Sequence, residues 1–192
     1  MKNPVITLLF RDKHVCPWWC CYAFDNFLRK LFHDPEKILR PYVAEGNTVL
    51  DIGPGMGYFS IPLASMVGEE GKVIAVDIQP EMLKVLQKRA KKAGVEHRII
   101  PHLCKGDSLG LNMQFDFILA FWMVHEVPDQ LVFLKEIKSL LKPSGKFLLS
   151  EPILHVNQAM VDETMKKAES VGLVLKEKPK ISLSRSALFT AN

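Results

Sequence analysis

The chain has 192 residues, 48% hydrophobic and 24% charged, with a formal net charge of +4. That length suits one domain with a sizeable core, and the balance excludes disordered, fibrous and disulfide-scaffold proteins. The longest apolar run, Phe117 to Val124, is far too short to span a membrane, and the opening residues do not read as a secretory leader, so a cytoplasmic protein is expected.

Residues 1–45 differ from the rest. The stretch HVCPWWCCYAFDNFLRKLFHDPEKILRPYV is rich in aromatics and predicts a helical arm or lid packed on the domain that follows, 46–192. Asp34-Pro35 is a helix start, with Asp34 as cap and Pro35 in the first turn. Trp18, Trp19 and Tyr22 are candidate walls of a substrate pocket; they serve equally as core under a capping helix. Cys16 and Cys20 share one helical face, but a single such pair is a poor zinc set. Buried or redox-sensitive thiols are expected at Cys16, Cys20 and Cys21, and no metal.

From Thr48 strands and helices alternate. TVLDI is a buried strand, followed by a glycine-rich loop and a helix to about Met66. VIAVD, Val73 to Asp77, is the second strand. A helix runs from Pro80 to a stop at Gly94, with Met82, Leu83, Leu86 and Ala90 at helical spacing. HRIIPH and FDFILAF (Phe115 to Phe121) are the third and fourth strands. A helix opening at Pro128 closes at the KPSG turn, and KFLLSE is the fifth strand. A helix from Asn157 to Gly172 precedes two last strands, LVLKEK and SALFTA. The link between these is too short for a crossover helix, so they are expected to be antiparallel. The pattern predicts an α/β protein: a Rossmann-like doubly wound sheet of seven strands, the last antiparallel. The basic cluster Lys84 to Lys92 reads as a solvated helix face. No aromatics interleave with it, so a nucleic-acid partner is not expected.

Ligands in such sheets bind at the carboxyl ends of the strands. The glycine loop, Asp77, Asp107, Phe121 to His125 and Glu151 all fall there. Glycines let a ligand approach the backbone, and the following helix offers free N–H groups. The spacing Gly53-x-Gly55-x-Gly57 is one residue shorter than the dinucleotide fingerprint G-x-G-x-x-G. Asp51, just before it, favours a ligand carrying an amino group over a second phosphate. Asp77 sits where a carboxylate accepts from ribose hydroxyls. Ile78 is placed to pack on a purine, and Asp107 to accept from an adenine amino group.

Together these stretches resemble the class I, Rossmann-like S-adenosylmethionine-dependent methyltransferases. VLDIGPGMGYFSIPLA resembles the family's first motif, and VIAVDIQPEML its acidic second strand. KGDSLGL, FDFILAFWMVHEVPD and LLKPSGKFLLSEP resemble the three motifs that follow. The last two are similar to the ubiquinone/menaquinone-methyltransferase-like (methyltransferase domain 11) group, with Ser144 in place of a turn glycine. The resemblance implies S-adenosyl-L-methionine as cofactor, with Asp51 and the loop glycines near its methionine moiety. It implies Asp77 at the ribose, and Asp107, Ile78 and Ser108 at the adenine. Phe121 and Trp122 are expected in the cofactor-pocket wall.

Methyl transfer is an in-line displacement and depends heavily on orientation. A protein base is needed only where the acceptor must first lose a proton. His125 and Glu151 are the candidate catalytic side chains. Each also has a plain structural reading: His125 in a helix-entry turn, Glu151 tying down a loop beside Pro152. The expected partner is a small-molecule methyl acceptor, with no membrane partner and the oligomeric state open. Alternatives are methylation of RNA or protein, a nicotinamide-dependent oxidoreductase, and a non-catalytic S-adenosylmethionine binder.

Overall fold

The computed structural model describes residues 29–191. Most of the expected arm, including Cys16, Trp18, Trp19, Cys20, Cys21 and Tyr22, lies outside the described residues. Two short helices lead in, α1 (Arg29–Phe32) and α2 (Pro35–Leu39). The Asp34 carboxylate accepts from Glu36 N at 3.1 Å and Pro35 opens α2, the cap and proline that the sequence predicts. Leu39 and Val43 then bury against the sheet.

Seven strands form one sheet: β1 (Thr48–Ile52), β2 (Lys72–Asp77), β3 (Ile99–Leu103), β4 (Phe115–Phe121), β5 (Leu141–Pro152), β6 (Leu173–Glu177) and β7 (Ser184–Ala191). Their spatial order is β3-β2-β1-β4-β5-β7-β6. β1 to β5 pair in parallel, and β7 runs antiparallel to both of its neighbours. Crossover helices follow four of the strands: α3 (Ser60–Met66), α4 (Pro80–Ala93), α5 (Gln130–Leu140) and α6 (Gln158–Ser170). The return from β3 to β4 has no helix and passes over the strand ends as a loop. The chain winds outward from β1 through β2 and β3, then restarts at β4 on the other side of β1. The topological switch point is therefore between β1 and β4, where such sheets bind ligands.

The central strands are buried on both faces, which is why they read as apolar runs rather than alternations. Val49, Ala75, Leu119 and Leu148 pack toward Leu63 of α3 and Leu86 of α4. Leu50, Ile74, Ile118 and Leu149 pack toward Leu134 of α5 and Met165 of α6. Local signals place the helix ends: Gly94 caps α4 at φ 71, and Asn157 caps α6 by accepting from Met160 N. The boundaries of α5 and β5 differ from the sequence reading for identifiable reasons. α5 opens at Gln130 rather than Pro128, because Asp129 is its cap and its carboxylate accepts from both Leu131 N and Val132 N. β5 begins at Leu141, the last apolar position expected of the helix and ahead of the expected turn, since Leu141 pairs with Phe115 before the register shifts. Gly145 makes this possible: a Cβ there would lie 2.7 Å from the Phe115 carbonyl oxygen.

Among the described residues, no helix is long and apolar enough to cross a membrane. Phe147 in β5 is fully buried, its ring stacked 6.1 Å from Phe189. Phe147→Ala is expected to cost about 3–5 kcal/mol, read as a lower urea midpoint at unchanged denaturant slope.

Candidate active site

A cleft of about 690 Å³ opens at the carboxyl ends of β1 to β4, a volume suited to a nucleoside-sized ligand. The turn after β1 gives it Gly53 and Gly55, and the turn after β2 gives Asp77, Ile78 and Gln79. The loop from Cys104 to Leu109 forms a third wall, and Trp122 and Met123 follow from β4.

All three loop glycines adopt left-handed backbone, at φ 67, 54 and 90 for Gly53, Gly55 and Gly57, as only glycine does at low cost. Their roles differ. A Cβ on Gly53 would press on Met123, and one on Gly57 on Leu86, each at 3.2 Å, whereas one on Gly55 would meet nothing within 4 Å. Gly53 and Gly57 thus let neighbouring elements close up, and Gly55 presents bare backbone to the cleft.

Asp77 borders the cleft from the end of β2. Its carboxylate accepts from Gln79 N at 2.9 Å, and the N–H groups of Ile78 and Gly55 also favour its charged form. Burial outweighs them and pushes its pKa up to about 6. Asp51 does not border the cleft. It is 2% exposed, and its carboxylate accepts from the Ser60 hydroxyl at 2.6 Å, at the start of α3. Burial pushes it up to about 7, the Ser60 hydroxyl and the Arg29 charge pull it down, and nearby Asp77 adds to the rise.

Asp107 and Ser108 line the opposite wall, with Lys105 and Ser108 forming a small bridge that shapes the loop. The loop is held from below by Glu136 of α5. The Glu136 carboxylate accepts from Ser108 Oγ and Leu109 N, both at 3.0 Å, and from Gly110 N at 3.3 Å. Nothing in the spacing of α5 marks Glu136 for this role.

Trp122 is strained, a non-glycine residue at φ 63. Two contacts hold it: its backbone N–H donates to Ser150 O at 2.7 Å and its indole N–H to Ser184 Oγ at 2.9 Å. Phe121 turns away from the cleft. Its ring lies 4.5 Å from Phe59 and 5.2 Å from His33, with the Arg29 guanidinium 5.8 Å above it. Arg29 sits closer still to Tyr58, at 4.3 Å, so a cation rests on an aromatic shelf beside the switch point. Burial lowers the pKa of His33, which bonds Ser182 O at 2.7 Å.

His125 and Glu151 are brought together, although the sequence separates them by a strand and a helix. The Glu151 carboxylate is 2.5 Å from His125 Nδ1 and also accepts from the His125 backbone N–H at 3.1 Å. His155, which the sequence reading missed, stands 2.9 Å from His125 Nε2. Its only sequence signal is a position four residues past Glu151, just beyond a strand end.

Residues 44–184 match a family model described as a methyltransferase domain. The chain is 30% identical over 129 residues to the demethylmenaquinone methyltransferase of Anoxybacillus flavithermus, covering 66% of this chain and 53% of that one. It is 33% identical over 137 residues to the demethylmenaquinone methyltransferase of Staphylococcus haemolyticus, covering 67% and 55%. The chain thus spans about half the length of these relatives. Among solved structures, a SAM-dependent methyltransferase from Aquifex aeolicus superposes with a TM-score of 0.80 at 26% identity, over 90% of this chain and 97% of that one.

Two outcomes follow from this geometry. Asp51 binds its proton more tightly folded than unfolded, so its ionisation costs stability that is absent at low pH and grows as pH rises through about 7. Asp51→Asn removes that cost. Thermal melts should show the variant gaining on wild type between pH 5 and pH 8, by on the order of a few kcal/mol. Glu136→Ala should strip hydrogen-exchange protection from the Leu109 amide while leaving the strand amides protected.

Proposed function

Because the chain belongs to the methyltransferase domain family, we propose that its cleft binds S-adenosyl-L-methionine and that it transfers the methyl group to a small-molecule acceptor. The observation that carries this is the pairing of Gly55 and Asp77 in the cleft: bare left-handed backbone beside a carboxylate at the end of the second strand. Asp77 would accept from the ribose hydroxyls. Ile78 would cover one face of the adenine, with Asp107 and Ser108 at its edge. Gly53 and Gly57 shape the loop against which the methionine moiety lies. Asp51 acts from beneath it, as a charge favouring the amino group and the sulfonium, and Phe121 backs Trp122 in the wall.

The transfer is a displacement at carbon. An electron pair of the acceptor forms the new bond to the methyl, the S–C bond breaks, and its electrons stay on sulfur, neutralising the sulfonium. The protein's part is to align the two reactants and exclude water. His125 and Glu151, at the ends of β4 and β5, stand where an acceptor proton could be taken up. The mild net charge and the names of the relatives support a small-molecule acceptor over RNA or protein. The cytoplasm is the setting we propose; the free thiol of Cys104 accords with a reducing compartment.

Calorimetry with S-adenosylhomocysteine and with NADH tests the donor: binding of the first and not the second is expected. The ribose hydroxyls favour ionised Asp77, so affinity should be full well above pH 6 and fall as pH drops through about 6. Asp77→Asn should weaken binding roughly 10- to 100-fold, the worth of a hydrogen bond to a charged group. Tight NADH binding with no response to S-adenosylhomocysteine would end the proposal. An untargeted metabolite screen with labelled methyl donor then identifies the acceptor.

A further inference from the structure

We propose that the pocket between the two leading helices and the turn before β7 binds a second ligand, a soluble single-chain amphiphile with one anionic head (phosphate or carboxylate), and that its binding tightens the cofactor cleft through Ser182, Ser184 and Trp122. The site itself stands apart from the methyltransferase reading; only its effect on donor affinity rests on that reading.

This pocket, of about 570 Å³, opens between α1, α2 and residues 179–182 and shares no lining residue with the cleft. Its volume suits a small molecule. Its polar side is cationic, because Lys30, Lys37 and Lys180 all border it. The one carboxylate on the lining is Asp34, which caps α2 and lies 3.9 Å from Lys37. Among the described residues neither Lys30 nor Lys180 has an ion-pair partner. The Tyr42 hydroxyl, also on the lining, already donates to Glu177 at 2.9 Å.

The remaining wall is apolar. Leu31 and Phe32 border the pocket while 76% and 51% exposed, and Ile38 and Ile181 continue the surface. A lone exposed leucine means little, but here two adjacent apolar side chains share one concave surface with three cations. Inorganic phosphate would meet the ammonium groups and leave the apolar wall wet. A neutral apolar molecule would cover the wall and leave the cations facing one another. An anionic head on an apolar chain satisfies both.

One string of hydrogen bonds joins this pocket to the cleft. The Ser182 carbonyl accepts from His33 Nε2 at 2.7 Å and from Ser184 Oγ at 3.2 Å. Ser184 Oγ in turn accepts from the indole N–H of Trp122, which borders the cleft. The buried His33 ring also sits edge-on to that indole, at 4.9 Å. Among the described residues two that are not glycine have positive φ, Trp122 at 63 and Leu183 at 54. Both lie on this string, since Leu183 stands between the two serines. Backbone strain at both places gives the string a relaxed alternative arrangement. Lys180 is two residues from Ser182, and its charge repels those of Lys30 and Lys37. An anion among the three turns that repulsion into attraction. It draws residues 180–182 toward α1 and α2, firms the carbonyl that His33 and Ser184 share, and holds Trp122 in the position that shapes the cleft.

Calorimetry on the full chain, with no methyl donor present, tests the site. The probes are octyl phosphate and decanoate below the concentrations at which they aggregate, inorganic phosphate, octyl glucoside, and phosphatidylglycerol vesicles. One-site binding of octyl phosphate and decanoate is expected, weakening as salt is added, with none of phosphate or the glucoside. Lys30→Glu combined with Lys180→Glu should weaken octyl phosphate about 10-fold or more, with an unchanged circular dichroism spectrum and unchanged affinity for S-adenosylhomocysteine. In ¹H–¹⁵N NMR, octyl phosphate should shift the Trp122 indole N–H of wild type and not of the double variant. Saturating octyl phosphate should tighten S-adenosylhomocysteine about 5- to 10-fold, and the reverse by the same factor. Ser184→Ala should keep octyl phosphate binding and lose this coupling. No binding of octyl phosphate, equal binding of the glucoside, or indifference to charge reversal overturns the proposal. So does binding to the vesicles alone, which would make the occupant a membrane surface. Binding that leaves the Trp122 indole unmoved overturns the link to the cleft. A protein that binds octyl phosphate and shifts that indole, yet ignores S-adenosylhomocysteine, sinks the methyltransferase reading and leaves the site standing.

Discussion

The parallel pairing of β1 with β2 on one side and with β4 on the other is the constraint from which the site follows. It forces the chain to reverse its direction of winding at β1, and the reversal leaves the ends of β1 and β4 uncovered by any crossover helix. The gap closes only as far as Gly53 permits, because its missing side chain is where Met123 sits. A β-carbon there would push the turn after β4 away, and with it Trp122. One glycine thus sets the distance between the two halves of the cleft, while Gly55 supplies the exposed backbone.

The site is built against local stability. Asp51 lies close enough to Asp77 to feel its charge, both are largely buried, and each is ionised at a cost that its hydrogen bonds do not recover. Trp122 adds backbone strain. A neutral pair of side chains would pack at less cost. A cationic ligand beside Asp77 would offset part of that expense. Arg29, over the aromatic shelf, tempers the charge of Asp51 from the other side.

Helix ends were legible in the sequence because they are local: Asp34 with Pro35, Gly94 and Asn157 each act on residues within a turn. The cleft was legible because strand ends recur at intervals that the apolar runs reveal, and Asp77, Ile78, Asp107 and Trp122 fall on them. Asp51 and Phe121 line up the same way yet face elsewhere, and period-two alternation holds the reason. Asp51 shares its face with Val49, and Phe121 with Leu119, and α3 covers that face. Asp77 shares the face too but is the last residue of β2, beyond the cover. Glu136 and His155 could not be found this way. Their partners are 26 to 30 residues distant, so only the packing of α5 and the path of the loop after β5 bring them into place.

The two ends of the sheet divide the labour. From β3 to β4 the strand ends offer bare backbone, the carboxylates of Asp77 and Asp107 and apolar walls, a set suited to holding a nucleoside still. From β4 to β5 they offer a buried carboxylate, two imidazoles and a strained indole, a set suited to moving a proton. Trp122 joins the two, with its backbone fixed to Ser150 of β5 and its indole tied to Ser184 of β7 while it borders the cleft. A shift of β5 relative to β4 would therefore be felt in the cleft through this residue. The seven residue pairs in register between β5 and β7 resist that shift, so the antiparallel strand beside β5 helps to hold the wall of the cleft in place.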